Sequence, residues 1–190
     1  GIVGFGTVGS GIYKILSSEV DSHPILKEIE IAKIAVKDLN KKRDIELDNN
    51  LLTDDPFKLI NDPSIDVIVE VMGGVDLAKD IILQSLKLGK SVVTANKAVI
   101  ARYGDEIYKT ASKEGLYILS EAAVCGGIPI IEPLKRSLKS NSIKKMVGII
   151  NGTTNFILSK MTNEKADYKE TLKLAQSLGY AEFDPTADVE

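Results

Sequence analysis

The chain has 190 residues, 44% apolar and 27% charged, which is ordinary for a globular protein and long enough to bury a real core. A net charge of −3 with one basic cluster, Lys41-Lys42-Arg43, argues against a nucleic-acid surface, and no run of about 18 apolar residues predicts a membrane span. The single cysteine, Cys125, excludes a disulfide framework and a paired-cysteine metal site, so the cytoplasm is the expected compartment.

In chain order, an apolar strand over residues 2–5 runs into Gly4-Phe5-Gly6-Thr7-Val8-Gly9, and a helical pattern follows over 10–20 (Ile12, Ile15, Leu16, Val20). Gly4 permits a tight turn out of the strand, Gly6 lets the backbone approach a pyrophosphate, and Gly9 lets the helix lie close on the sheet. The helix N-terminus then offers N–H groups to the phosphates. A dinucleotide site is the expectation, with a purely structural turn as the alternative. His23, in a Ser-His-Pro loop, reads as solvated. Residues 29–36 form an apolar-rich strand ending at Lys37-Asp38, and Asp55-Pro56-Phe57 opens a short helix through 60. Residues 66–71 are a continuous apolar strand, interrupted by Glu70 and ending at Met72-Gly73-Gly74. An amphipathic helix over 77–88 is closed by Gly89, a strand covers 91–94, a helix over 103–114 is closed by Gly115, and a strand covers 116–120.

Strands alternating with helices of about a dozen residues imply an α/β fold with a doubly wound parallel sheet of the Rossmann kind. Ligands bind such sheets beyond the carboxyl ends of the strands. Residues 4–9, 73–74, 94–97 and 121–127 fall there. Past Gly127 the pattern changes to a helix over 129–140, a strand over 143–150, and helices over 155–161 and 168–178. A boundary is expected near 128, dividing a dinucleotide-binding domain (1–128) from the start of an α+β second domain (129–190). No methionine opens the chain, and 188–190 close it without helix or cap, so a portion of a longer chain is expected, with an upstream signal peptide left open.

Four more segments carry chemistry. Val92-Val93-Thr94-Ala95-Asn96-Lys97 delivers Thr, Asn and Lys together at the sheet edge. A lysine there can act as an acid/base, or Thr94 or Asn96 can simply cap a helix ahead of a solvated lysine. Glu121 precedes a small-residue loop, Ala122-Ala123-Val124-Cys125-Gly126-Gly127-Ile128-Pro129. A carboxylate with free carbonyls suits a hard cation, and a glycine-rich turn beside a surface Glu is the plainer reading. Cys125 reads as a packed small hydrophobe. In Asn151-Gly152-Thr153-Thr154-Asn155 either threonine can cap the next helix, or the hydroxyls and amides can line a cleft. Residues 179–190 crowd carboxylates after Gly179, as a solvated loop or as the seat of an amino group.

Together these five segments resemble homoserine dehydrogenase, in that family's order and spacing and over essentially the whole chain. Asn151-Gly152-Thr153-Thr154-Asn155 and Gly179-Tyr180-Ala181-Glu182-Phe183-Asp184-Pro185-Thr186-Ala187-Asp188 carry the resemblance most specifically. It implies reversible NAD(P)-dependent hydride transfer between L-homoserine and L-aspartate 4-semialdehyde, toward threonine, methionine and isoleucine. It implies that Gly4, Phe5, Gly6, Thr7, Val8 and Gly9 form the pyrophosphate turn, that Thr94 and Lys97 lie near the nicotinamide and the reacting carbon, and that Glu182 binds the substrate's amino group. It also implies a sodium ion held by Glu121 and the carbonyls of Val124, Gly126 and Ile128, and a homodimer or homotetramer.

The family's second catalytic lysine and a substrate-binding aspartate lie a few residues beyond Asp188, so the 190-residue chain alone is expected to be inactive. Lys37, with Lys41, Lys42 and Arg43 nearby, favours the 2′-phosphate of NADP, while Asp38 keeps NAD as the alternative. Two rivals are weaker. A semialdehyde or inositol-type dehydrogenase relies on a catalytic Cys or a Glu-Lys-Pro turn, and Cys125 has no His partner. A non-catalytic nicotinamide sensor or interaction module would show a basic DNA-binding domain or a degraded site, whereas Lys97 and Glu182 are both present.

Overall fold

The computed structural model describes residues 1–18, 24–45, 47–181 and 185–189. The chain divides into two compact units, Gly1–Lys139 and Ser140–Glu190.

In the first unit six strands form one sheet: β1 (Ile2–Val3), β2 (Ile34–Ala35), β3 (Leu52–Thr53), β4 (Val67–Glu70), β5 (Ser91–Thr94) and β6 (Ile118–Leu119). Their spatial order is β3-β2-β1-β4-β5-β6 and every pairing is parallel. This is the expected doubly wound α/β sheet, and the chain reverses its direction of travel between β1 and β4, where such sheets open a crevice. The helices are α1 (Thr7–Leu16), α2 (Pro56–Asn61), α3 (Asp76–Lys87) and α4 (Lys97–Glu114).

The pleat sends successive side chains to opposite faces, and the two cores follow that alternation. Val3, Ala35, Ile68 and Val92 face a cluster built from α2, α3 and α4, with Leu59, Ile60, Ile81, Ile82, Leu86, Val99 and Ile107 buried in it. Ile2, Ile34 and Val69 face the other way, onto Ile12 and Tyr13 of α1 and onto Leu47 and Leu52.

Several elements differ from expectation. The strand expected over 29–36 pairs only at Ile34–Ala35, and Ile29 is exposed. β3 has two residues, too few for a period-2 pattern to register. α4 starts at Lys97 rather than 103, because the Asn96 side chain caps it by accepting from Val99 N at 3.2 Å. The helix expected over 129–140 is helical at 131–132 and then widens into a π-turn, Pro133–Ser137. Pro133 has no N–H to donate, and the Leu138 N–H reaches back five residues to the Pro133 carbonyl at 2.8 Å.

The second unit contains α5 (Gly152–Glu164), α6 (Tyr168–Ser177) and α7 (Thr186–Val189). Ile157, Ala175 and Ala181 are buried with Phe156, Met161, Leu172 and Val189 against them, and the Phe156 and Tyr180 rings stack at 4.8 Å. The strand expected over 143–150 pairs with nothing among the described residues, and Met146, Val147, Ile149 and Ile150 are exposed. Apolar alternation marks a strand only where a neighbouring ladder takes its N–H and C=O groups.

Candidate active site

The glycine turn lies at the carboxyl end of β1, beside the β1/β4 crevice. Each of its three glycines does separate work. Gly4 has φ 106°, and a Cβ there would fall 2.7 Å from the Val71 carbonyl oxygen. A Cβ on Gly9 would fall 2.2 Å from the Gly4 carbonyl oxygen, so only glycine lets α1 lie this close to β1. Gly6 is different: nothing stands within 4 Å of its Cβ position. It precedes α1 as an N-cap that offers no side-chain acceptor to the helix's first N–H groups. Thr7 and Val8 are exposed at that end, while Phe5 turns inward to meet Tyr13 edge-on at 5.8 Å.

Beyond β2, Lys37 is exposed. Asp38 turns its carboxylate onto its own loop, accepting from Asn40 N at 2.8 Å. The Arg43 guanidinium donates to the carbonyls of Asp38 (2.6 Å) and Lys41 (2.9 Å), which folds the loop over a pocket of about 170 Å³ lined by Leu39, Lys41, Arg43, Ile45, Leu47, Asn49 and Leu52.

The third cluster was not anticipated as a unit. Glu70 is fully buried at the end of β4. Its Oε1 accepts from Met72 N at 3.0 Å and from Asn96 Nδ2 at 3.5 Å, and its Oε2 accepts from the Thr94 hydroxyl at 2.5 Å. Thr94, itself fully buried, accepts from Asn96 N at 3.0 Å through the same hydroxyl. Asn96 Nδ2 donates to the Gly74 carbonyl at 2.8 Å. Burial pushes the Glu70 carboxyl up from the usual range, against the hydrogen bonds from Thr94, Met72 and Asn96. Of the two expected candidates, Asn96 rather than Thr94 caps α4, and Lys97 follows as an exposed residue of its first turn. The signal for Glu70 was available: a carboxylate inside a buried parallel strand requires partners, and they sit one strand away.

Glu121 lies at the next strand end. Its carboxylate accepts from the backbone N–H groups of Ile130, of Ile131 at 2.9 Å and of Glu132 at 3.0 Å. Desolvation raises its pKa, but those donors, with the Lys135 charge, outweigh it and hold the carboxyl below its usual range. Cys125 is exposed rather than packed and adopts φ 57°, so it bends the 124–128 loop instead of filling a core. Among the described residues no three or more His, Cys, Asp or Glu side chains gather as a metal site.

In the second unit Asn151, not Thr153 or Thr154, caps α5, accepting from Thr154 N at 2.9 Å. Asn151 Nδ2 also donates to Asp188 at 2.7 Å, and the Thr153 hydroxyl donates to the Tyr180 carbonyl at 2.5 Å. Glu182, the expected substrate residue, lies outside the described residues.

Residues 4–121 match the family model described as "Homoserine dehydrogenase, NAD binding domain", and residues 129–190 match "Homoserine dehydrogenase". The homoserine dehydrogenase of Synechocystis sp. is 54% identical over all 190 residues of the chain, which cover 44% of that relative. That of Bacillus subtilis is 49% identical, also over the whole chain and 44% of its own length. The crystal structure of a homoserine dehydrogenase from Thiobacillus denitrificans is 44% identical with a TM-score of 0.88, over 100% of this chain and 44% of that one. A hyperthermophilic archaeal homoserine dehydrogenase mutant in complex with NADPH gives a TM-score of 0.78 at 28% identity, over 100% and 63% of the two chains. The chain therefore spans less than half the length of these curated relatives.

Proposed function

The chain belongs to the homoserine dehydrogenase family, its first unit carrying that family's NAD-binding domain, and from this premise we propose that its protein oxidises L-homoserine reversibly to L-aspartate 4-semialdehyde with NADP. The observation that carries this reading is a juxtaposition. The open Gly6 turn after β1 and the Lys97 turn after β5 lie on the carboxyl edge of one parallel sheet, with β4 between them.

When bound, the nicotinamide cofactor supplies the hydride chemistry at substrate C4. The chain's own residues bind and orient. The N–H groups of Thr7, Val8 and Gly9 at the start of α1 would hold the pyrophosphate, and Gly4 and Gly9 keep that turn tight against β1. Lys37, exposed at the end of β2 while Asp38 is engaged with its own loop, meets the 2′-phosphate; this favours NADP over NAD. Thr94, buried and bonded to Glu70 and Asn96, fixes the strand end that would lie near the nicotinamide. Lys97 Nζ exchanges the proton at the substrate's C4 oxygen as that carbon changes oxidation state. Glu182 takes the substrate's amino group.

The Glu121 carboxylate is engaged by the N–H groups of residues 130–132, and carboxylate and carbonyl oxygens are the donor type that a hard, singly charged cation takes. Glu121 and the carbonyls of Val124, Gly126 and Ile128 would hold sodium, which would stiffen the 124–128 loop. We place the domain boundary near residue 128, between the two matched stretches. A homodimer or homotetramer in the cytoplasm completes the proposal. Among the described residues no helix is long and apolar enough to cross a membrane.

The test is an absorbance assay on the full-length protein, following homoserine-dependent reduction of NADP and NAD separately, beside Lys97→Ala. Faster reduction of NADP, lost in the variant, is expected. A Lys97→Ala enzyme that keeps its kcat would overturn the role of Lys97, and equal or faster reduction of NAD would overturn the choice of cofactor.

A further inference from the structure

The Lys97 turn follows β5 directly, and a buried carboxylate on the neighbouring strand β4 fixes its side chains against the sheet. We propose that Glu70 is a positioning residue for proton transfer, acting through Asn96 on the first turn of α4. This rests on the reading of Lys97 given above.

The chain of contacts is short. Glu70 is fully buried, so both its oxygens must find donors inside the protein. It finds them on its own strand end (Met72 N, 3.0 Å) and on the neighbouring one (Thr94 hydroxyl, 2.5 Å; Asn96 Nδ2, 3.5 Å). The carboxylate thus ties the ends of β4 and β5 together at the edge where ligands bind. Thr94 relays the constraint, because the hydroxyl that donates to Glu70 accepts from Asn96 N at 3.0 Å. Asn96 relays it again. One end of its amide holds the Gly74 carbonyl at 2.8 Å, and the other caps α4 at Val99 N. The residue after Asn96 is Lys97.

An apolar side chain at position 70 would serve the core better, since leucine or valine carries no desolvation cost in a buried parallel strand. A carboxylate there is best accounted for by the four-residue turn it organises. It accepts from three separate groups at once, and no neutral side chain of that size can do so. Glu70→Gln keeps the volume and one acceptor oxygen but faces Thr94 with an NH₂ group. The Thr94 hydroxyl must then turn its proton away from residue 70, so the Thr94–Glu70 bond that ties β5 to β4 is lost and the Asn96 turn is less firmly held.

The experiment measures kcat, KM, cofactor Kd and Tm for the full-length enzyme and for Glu70→Gln, Lys97→Ala and the double variant. For Glu70→Gln the expected result is a kcat lowered about tenfold or more, the order that displacement of a reacting group by a fraction of an ångström produces. KM and cofactor Kd should stay within about threefold, and Tm within a few degrees. In the double variant, Glu70→Gln should subtract nothing further from Lys97→Ala, because its whole effect runs through the lysine. A Glu70→Gln kcat within twofold of wild type would overturn the proposal. So would losses that multiply in the double variant, or a fall in Tm and cofactor affinity that accounts for the lost rate. Wild-type kcat in Lys97→Ala alone would instead overturn the reading of Lys97. Glu70→Asp serves as a second probe: it restores the charge but shortens the reach, so partial recovery of kcat over Glu70→Gln is expected, and none would count against a role for the carboxylate.

Discussion

The three glycines of the β1–α1 turn can be separated by adding one methyl group at a time. In Gly9→Ala the new carbon would stand 2.2 Å from the Gly4 carbonyl oxygen and 3.1 Å from its carbonyl carbon. An ordinary carbon–oxygen contact is roughly 3.3–3.6 Å, so the overlap exceeds about 1 Å. Neither atom lies at the end of a flexible side chain. Relief therefore requires α1 to slide off β1 by a distance of that order. Overpacking of this kind costs about 1–3 kcal/mol, and the better helix propensity of alanine returns somewhat under 1 kcal/mol. A net loss of about 1 kcal/mol lowers the Tm of a chain this size by about 2–4 °C. Cofactor affinity should fall with it, since the N–H groups of the first turn move together. Gly6→Ala makes the opposite case. No atom lies within 4 Å of its Cβ position and its φ of −88° suits any residue, so Tm should stay within about 1 °C. Under the proposed assignment the methyl group would stand on the face the pyrophosphate approaches, so cofactor affinity should still fall by about tenfold or more. Thermal melts of the cofactor-free full-length protein, paired with calorimetric titration of NADP, separate the two. An unchanged Tm in Gly9→Ala would refute the packing argument, and unchanged binding in Gly6→Ala would refute the assignment of the open face to phosphate.

Two further outcomes can be checked without turnover. Asn96→Ala removes the cap of α4 and the amide bond to Gly74 and should cost about 1–2 kcal/mol, read as a lower urea midpoint at unchanged m-value. Glu121→Gln should change the acid limb of stability. The folded carboxyl lies below the 4.5 of its unfolded reference, so its contribution is present above pH 4.5 and is lost as pH falls through the folded value. Tm against pH should therefore fall less steeply in the variant below about pH 4.5, and parallel curves would remove Glu121 from the acid transition.

What could be read from the chain, and what could not, divides along the range of the forces involved. The glycine turn was legible because its chemistry is local: three φ and packing demands within six residues. The alternation of strands and helices was legible for the same reason, in β4, β5, α3 and the end of α4. β3 was not, since two residues carry no period. The start of α4 was missed because the apolar pattern of the helix begins later than the Asn96 cap that nucleates it. The alternating run over 143–150 signals only readiness to pair, and among the described residues nothing pairs with it. Pro133 was a readable break that the helical pattern on either side concealed. Glu70 was visible as an interruption but not as an anchor, because its partners Thr94 and Asn96 are brought to it only by the pairing of β4 with β5.

That β1 sits between β2 and β4 has a consequence for how the protein is made. Ile2 is among the first residues of this chain to be synthesised, yet it pairs with Val69, and the Val71 carbonyl lies against Gly4. Closing so long a loop is entropically slow, and parallel pairing with distant partners is the last kind of contact a folding chain collects. While ribosomes are still adding α2, the glycine turn therefore has its sequence but not its shape. The turn can take its packed shape only once β4 emerges, and under the proposed role bound cofactor would from then on stabilise the half-built sheet by mass action.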